Sequence, residues 1–190
     1  SVELDRLLAH CRKHNLVLIE DGAHVIGTSY NGKKNGSIAD MTTLSFHPVK
    51  TVTGGEGGAV LTNSEEYYQK LLLYRSHGIT KNPAKMEHEP DGPWYYEQVA
   101  LGMNYRMTDM QAALIISQLD KLPLFMKRRK EIVKAYDEAF SKLPQLFVQK
   151  EIPQSDTTRH LYILRIIPEK LKIDRKQFFE ALAAENICCQ

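Results

Sequence analysis

The sequence predicts an α/β fold, with a large domain over residues 1–122 and part of a smaller α/β domain over residues 123–190. Three observations carry this. Short apolar runs alternate with helical stripes through the first third of the chain, the pattern of a sheet flanked by helices. The run Leu16-Val17-Leu18-Ile19 is continuous rather than alternating, as in a parallel strand covered on both faces. After Pro123 the chain gives a long basic helix, one strand and one more helix, which reads as the opening of a second unit.

The elements follow in order. Over residues 2–14, Val2, Leu4, Leu7, Leu8 and Cys11 share one helical stripe with Ser1 as the cap. The strand Leu16–Ile19 stops at Glu20-Asp21-Gly22, which puts an acid at its carboxyl end. Tyr30-Asn31-Gly32-Lys33 is a hairpin turn signal. Met41–Phe46 and Ala59–Thr62 are further strands, separated by Lys50 and the run Gly54-Gly55-Glu56-Gly57-Gly58. Asn63 or Ser64 caps a helix that runs to about Ser76 and is stopped by Gly78. Residues 79–100 form a long excursion, a length that in compact domains goes with function or mobility. Thr108 or Asp109 opens a helix with Met110, Ala113, Leu114, Ser117 and Leu119 suited to burial. Lys127–Lys142 is helical, Leu161–Ile167 is a strand, and Asp174 caps a last helix over Arg175–Glu185.

Composition narrows the function classes. The 25 Lys and Arg nearly balance 23 Asp and Glu, so no charge excess points to nucleic acid or to an anionic membrane surface. No apolar run approaches the roughly 20 residues of a membrane helix. The opening residues have neither the basic start nor the apolar stretch of a secretory signal. Cys11, Cys188 and Cys189 give neither a disulfide framework nor a metal-ligating spacing, which points to a reducing cytoplasm and to no metal site. The chain reads as incomplete at both ends. Ser1 is not an initiator Met, and Asn186–Gln190 read as a helix exit toward a strand.

Asp21, Ser45 and Lys50 stand out because all lie near expected strand ends, where open α/β sheets bind ligands. A lysine set between a strand and a glycine turn is suited to imine formation if burial or a nearby cation keeps its amine unprotonated. An aspartate at the neighbouring strand end suits a pyridinium nitrogen, and the Ser45 hydroxyl suits a phosphate. The bland readings are a solvated lysine and a structural cap. The glycine run lacks Gly-x-x-x-x-Gly-Lys-Ser/Thr and leads into a strand rather than a helix. It therefore reads as a tight turn that positions Lys50, not as a nucleotide loop.

Four stretches together carry a family resemblance: Ile19–His24, Ser45-Phe46-His47-Pro48-Val49-Lys50, Gly54-Gly55-Glu56-Gly57-Gly58, and Met103-Asn104-Tyr105-Arg106-Met107-Thr108-Asp109-Met110-Gln111-Ala112-Ala113. In order and spacing the chain resembles the DegT/DnrJ/EryC1/StrS sugar aminotransferases from its first helix to its end. The resemblance implies the pyridoxal-phosphate-dependent transferase fold of type I, aspartate aminotransferase-like, and a homodimer with shared active sites. It implies transfer of an amino group from glutamate to a 4-keto-6-deoxy nucleotide sugar, UDP-linked, in pseudaminic acid or related glycan synthesis. The alternative is a non-catalytic truncated chain that dimerises or binds a nucleotide sugar. Lys50 argues against the family's non-catalytic class and against the related dehydratases, in which that lysine is replaced.

The resemblance also assigns roles. Lys50 would form the Schiff base with pyridoxal 5'-phosphate and shuttle the proton. Asp21 would pair with the ring nitrogen, Ser45 would bind the cofactor phosphate, and His24 would lie near the ring oxygen. Asn104 would reach the phosphate in the neighbouring subunit, and Tyr105 and Arg106 would contact the nucleotide sugar. The competing readings are a satisfied buried histidine for His24, a turn residue for Asn104 and a structural ion pair for Arg106. Gly55 stands where the family often has Thr, and the family's N-terminal third has no counterpart in the sequence. The remaining histidines, His160 among them, have no ligand-like spacing and read as structural or solvated.

Overall fold

The computed structural model describes residues 2–189. The first helix, α1 (Leu4–Lys13), starts after Glu3; the expected cap, Ser1, lies outside the described residues, as does Gln190. Leu4, Leu8 and Cys11 turn inward from the expected stripe, while Val2 and Leu7 stay exposed. α1 closes on Asn15 at φ 52°, with the Leu16 N–H donating to the Cys11 carbonyl at 2.9 Å. Asparagine tolerates this left-handed position.

The strand after it, β1 (Ile19–Asp21), begins later than the apolar run suggests. Leu16–Leu18 form a lead-in whose last residue is tied to Asp40: the Leu18 N–H donates to Asp40 Oδ2 at 2.7 Å. Leu16, Val17 and Ile19 are exposed, so the expected cover on both faces is absent among the described residues. A hairpin follows as the turn signal predicts, β2 (Ser29–Tyr30) with β3 (Lys33–Lys34). β4 (Met41–Ser45) then runs parallel to β1 with Ile19 against Met41 and Asp21 against Thr43. β5 (Gly58–Leu61) returns antiparallel to β4. The sheet order is β1-β4-β5.

α2 (Glu65–Arg75) is capped by Ser64, whose Oγ accepts from the Tyr67 N–H at 3.3 Å. The excursion beyond it is ordered by a short pair, β6 (Ile79–Thr80) with β7 (Glu97–Gln98). α3 (Asp109–Asp120) opens on Thr108, which forms a reciprocal capping box with Gln111. Its buried face differs from the expected one. Ile115 is 6% exposed, whereas Met110 is 82% exposed and Leu114 and Leu119 are also open. The turn around Gly54 explains this. A Cβ there would sit 2.8 Å from the Ile115 side chain and 3.3 Å from the Gln111 carbonyl oxygen. The chain thus packs backbone onto the Gln111–Ile115 face of α3. Phe46, Val52 and Ile115 form the buried core, with Ile26, Leu44, Met107 and Leu122 against it.

α4 (Leu122–Phe140) carries Pro123 in its first turn, where no intrahelical N–H is needed. β8 (Leu146–Val148), β9 (Ser155–Asp156) and β10 (Leu164–Ile166) follow, and α5 (Arg175–Ala184) is capped by Asp174 in a second capping box. β10 pairs with β8, but β9 pairs with β2, Ser29 against Asp156. This pairing brings residues 155–160 over the turn that follows β1.

Thr108→Ala removes the hydroxyl that satisfies the Gln111 N–H, and with it half of the capping box. It should lower stability by about 1 kcal/mol, read as a lower urea midpoint with unchanged slope in the full-length protein.

Candidate active site

Side chains alternate along β1, and the alternation separates its two acids. The Glu20 carboxylate turns to the interior, accepting from Thr42 Oγ1 at 3.0 Å and from Asn35 Nδ2 at 2.6 Å. Asp21 ends the strand with its carboxylate exposed; its Oδ1 accepts from the Ala23 N–H at 3.1 Å, and no hydrogen bond to Oδ2 occurs among the described residues. Gly22 is required directly after it. A Cβ there would come within 2.6 Å of both Thr42 Cγ2 and the Thr43 carbonyl oxygen.

β4 ends on Ser45, and the chain then leaves the sheet in a loop closed at its neck by Phe46. The Phe46 N–H donates to the Gly57 carbonyl at 2.9 Å, and its own carbonyl accepts from the Gly54 N–H at 3.0 Å. Thr53 Oγ1 donates to that same carbonyl at 3.1 Å and accepts from the Gly55 N–H at 3.0 Å. Thr53 thus supplies a hydroxyl to the backbone of the turn itself. Inside the neck, the Lys50 N–H donates to the His47 carbonyl at 3.0 Å. Lys50 is half-buried between the fully buried Val52 core position and the exposed His47-Pro48-Val49 tip. The Ser45 hydroxyl accepts from the His47 N–H at 3.4 Å, leaving its own proton to give.

The Lys50 amine lies 2.7 Å from His24 Nε2. His24 in turn packs against His160, with ring centroids 4.4 Å apart and a tilt of 41°. His160 Nδ1 is 3.3 Å from Thr51 Oγ1. Burial first, then the neighbouring His24, Arg129 and Lys50, push the His160 imidazole down to about 4 from its ordinary 6.5. A cleft of about 490 Å³ opens beside this cluster, reached by Asp21, His24 and His160. Sequence reasoning missed His160. Its neighbour in space, Thr51, is 109 residues away in the chain, and nothing local marks it.

Asn104, Tyr105 and Arg106 form a separate cluster at the end of α2. Asn104 makes an isolated bridge to Ser76, and the Tyr105 N–H donates to the Arg75 carbonyl at 3.0 Å. The Arg106 guanidinium lies 3.2 Å from His77 Nε2 and donates to Asn104 Oδ1 at 3.4 Å. Tyr105 is 73% exposed. No hydrogen bond joins this cluster to Lys50, His24, Asp21 or Ser45 among the described residues.

Asp21 and Ser45 thus end two adjacent parallel strands, with the Lys50 loop following the second, and a family comparison gives that arrangement its context. The model of the DegT/DnrJ/EryC1/StrS aminotransferase family matches residues 1–190. The chain belongs to this family. It is 39% identical over 190 residues to a UDP-4-amino-4,6-dideoxy-N-acetyl-beta-L-altrosamine transaminase of Campylobacter jejuni, covering 100% of this chain and 48% of that one. Among solved structures it superposes on Helicobacter pylori PseC, an aminotransferase involved in the biosynthesis of pseudoaminic acid. The TM-score is 0.86 at 32% identity, over 97% of this chain and 47% of that one. The Streptococcus pneumoniae protein Spr1654 in its PLP-form matches with TM-score 0.82 at 30% identity, over 97% of this chain and 50% of that one. The chain spans about half the length of the relatives it matches. Among the described residues no helix is long and apolar enough to cross a membrane.

The depressed His160 value has a consequence for stability. Between pH 6.5 and about 4 the unfolded chain binds a proton at His160 that the folded chain refuses, so stability falls as pH drops through that window. The groups facing the ring are Lys50, His24 and Arg129. Urea unfolding at pH 7 and pH 4.5 should show a smaller acid loss in His160→Gln than in the wild type. Equal losses would contradict the assignment.

Proposed function

We propose that this chain carries the lysine-bearing half of the active site of a pyridoxal-phosphate-dependent aminotransferase. Its reaction moves an amino group from glutamate to a 4-keto-6-deoxy nucleotide sugar, UDP-linked, in the cytoplasm. The observation that carries the reading is the half-buried Lys50 amine, 2.7 Å from His24 Nε2 and beside the strand end that presents Asp21. The residues present fit the cofactor by their chemistry. Lys50 offers an amine to a carbonyl carbon, Asp21 an unshared carboxylate oxygen to a ring N–H, and Ser45 a free hydroxyl proton to a phosphate. Pyridoxal phosphate, when bound, supplies that carbonyl and an electron sink for the amino group in transit.

The remaining work falls to the chain. Asp21 would hold a positive charge on the ring nitrogen through a charge-assisted hydrogen bond, worth roughly 1.5–3 kcal/mol. His24 would lie near the ring oxygen, with its Nε2 in hydrogen-bond contact with the lysine amine. With the cofactor bound, the Lys50 amine would accept and return the proton moved during the transfer. The closed neck at Phe46 fixes where that amine can reach.

Asn104, Tyr105 and Arg106 take part from a second copy of the chain. The exposed apolar surface around them supports a role across a dimer interface, with Leu101 84% and Met110 82% exposed. Asn104 reaches the partner site's phosphate, and Tyr105 and Arg106 the nucleotide sugar.

The test is amino transfer by the full-length protein to a UDP-4-keto-6-deoxy sugar with glutamate as donor. Lys50→Ala should abolish turnover. Asp21→Asn should slow it at least about tenfold, since about 1.4 kcal/mol is a decade, with an unchanged unfolding midpoint. Full turnover in Lys50→Ala, with external amines excluded, would defeat the reading.

A further inference from the structure

We propose that His160 is a positioning residue for Lys50: its ring holds the His24 imidazole with Nε2 turned to the lysine amine, and its Nδ1 holds the hydroxyl next to that lysine. This rests on the aminotransferase reading and deepens it. His160 lies far along the chain from both partners, yet it touches His24, which contacts the reacting amine, and Thr51, the residue that follows Lys50. The His24 ring is at 4.4 Å and leads to Lys50 Nζ. Thr51 Oγ1 is at 3.3 Å.

The backbone on both sides of His160 is itself fixed. Thr158 is fully buried; its N–H donates to Thr28 Oγ1 at 3.2 Å and its hydroxyl to the His24 carbonyl at 3.4 Å. The Arg129 guanidinium of α4 donates to the His160 carbonyl at 3.1 Å. The imidazole therefore enters the site as a fixed wall rather than as a loose surface ring.

The chemistry requires such a wall. When the lysine is an ammonium it only donates, and a 2.7 Å contact with Nε2 then needs a lone pair on that nitrogen and the imidazole proton on Nδ1. A flipped or tilted His24 ring would offer its N–H or carbon edge instead. His160 blocks that rotation. It does so as a neutral ring, since burial first and the nearby Arg129 and Lys50 disfavour a positive charge there. Misplacement of a reacting group by about 1 Å costs on the order of a hundredfold in rate.

The test uses the full-length protein labelled with 15N-histidine and freed of cofactor, with the His24 signal assigned by its loss in His24→Gln. The wild type should show His24 with its proton on Nδ1. His160→Gln should give mixed tautomers at His24. In the loaded enzyme it should lower kcat by about ten- to a hundredfold, with KM for the amino donor within about twofold. Thr51→Val removes the hydroxyl partner while leaving both rings, and should lower kcat in the same direction with the fold intact. It decides alone if His160→Gln fails to fold. An unchanged His24 tautomer and kcat in these folded variants overturns the positioning role. If Lys50→Ala is inactive in parallel, only that role falls; if Lys50→Ala remains active, the aminotransferase reading falls with it.

Discussion

The parallel register of β1 on β4, with Asp21 opposite Thr43, sets the geometry on which the candidate site depends. Because side chains alternate, a slip by one residue would exchange the two acids of β1. Glu20 would then face the site, and Asp21 the buried Thr42 hydroxyl that Glu20 now satisfies. The same register ends both strands at one edge, so the loop after Ser45 must begin beside Asp21. The neck hydrogen bonds of Phe46 then fix how far Lys50 stands from that edge.

Much of this edge was legible in the sequence because it depends on local signals. The acid at the strand terminus, the hydroxyl at Ser45, the lysine and the glycine turn are contiguous or nearly so. The helix starts at Ser64, Thr108 and Asp174 were legible for the same reason, since a capping oxygen reaches only the first turn of its own helix. What the sequence hid is what depends on distant partners. The inward face of α3 is set by the backbone of the Gly54 turn rather than by the helix's own most apolar stripe. The first strand pairs only where β4 runs alongside, so the apolar Leu16–Leu18 segment stays outside it. Residues 155–160 reach the site because β9 pairs with β2 across the chain, a pairing that short strands do not announce.

That distant pairing also gives the second half of the chain a part in the site. α4 holds the His160 carbonyl through Arg129, and Thr158 locks the turn that carries His24. The Asn104 cluster sits at another edge, tied to α2 and to Arg75 and Ser76. The site proposed for this family member therefore draws on two pieces of backbone, a sheet edge and a strand returning from the second half; the proposal adds the Asn104 surface of a second copy.

The central claim is that the Lys50 amine is the covalent anchor of the cofactor, and it can be read directly. The full-length protein is incubated with pyridoxal phosphate, reduced with borohydride, digested, and its peptides mapped by mass spectrometry. The account predicts one stoichiometric pyridoxyl adduct at Lys50, with the other lysines unmodified at equimolar cofactor. An adduct spread over surface lysines, or one concentrated elsewhere with Lys50 free, would contradict it.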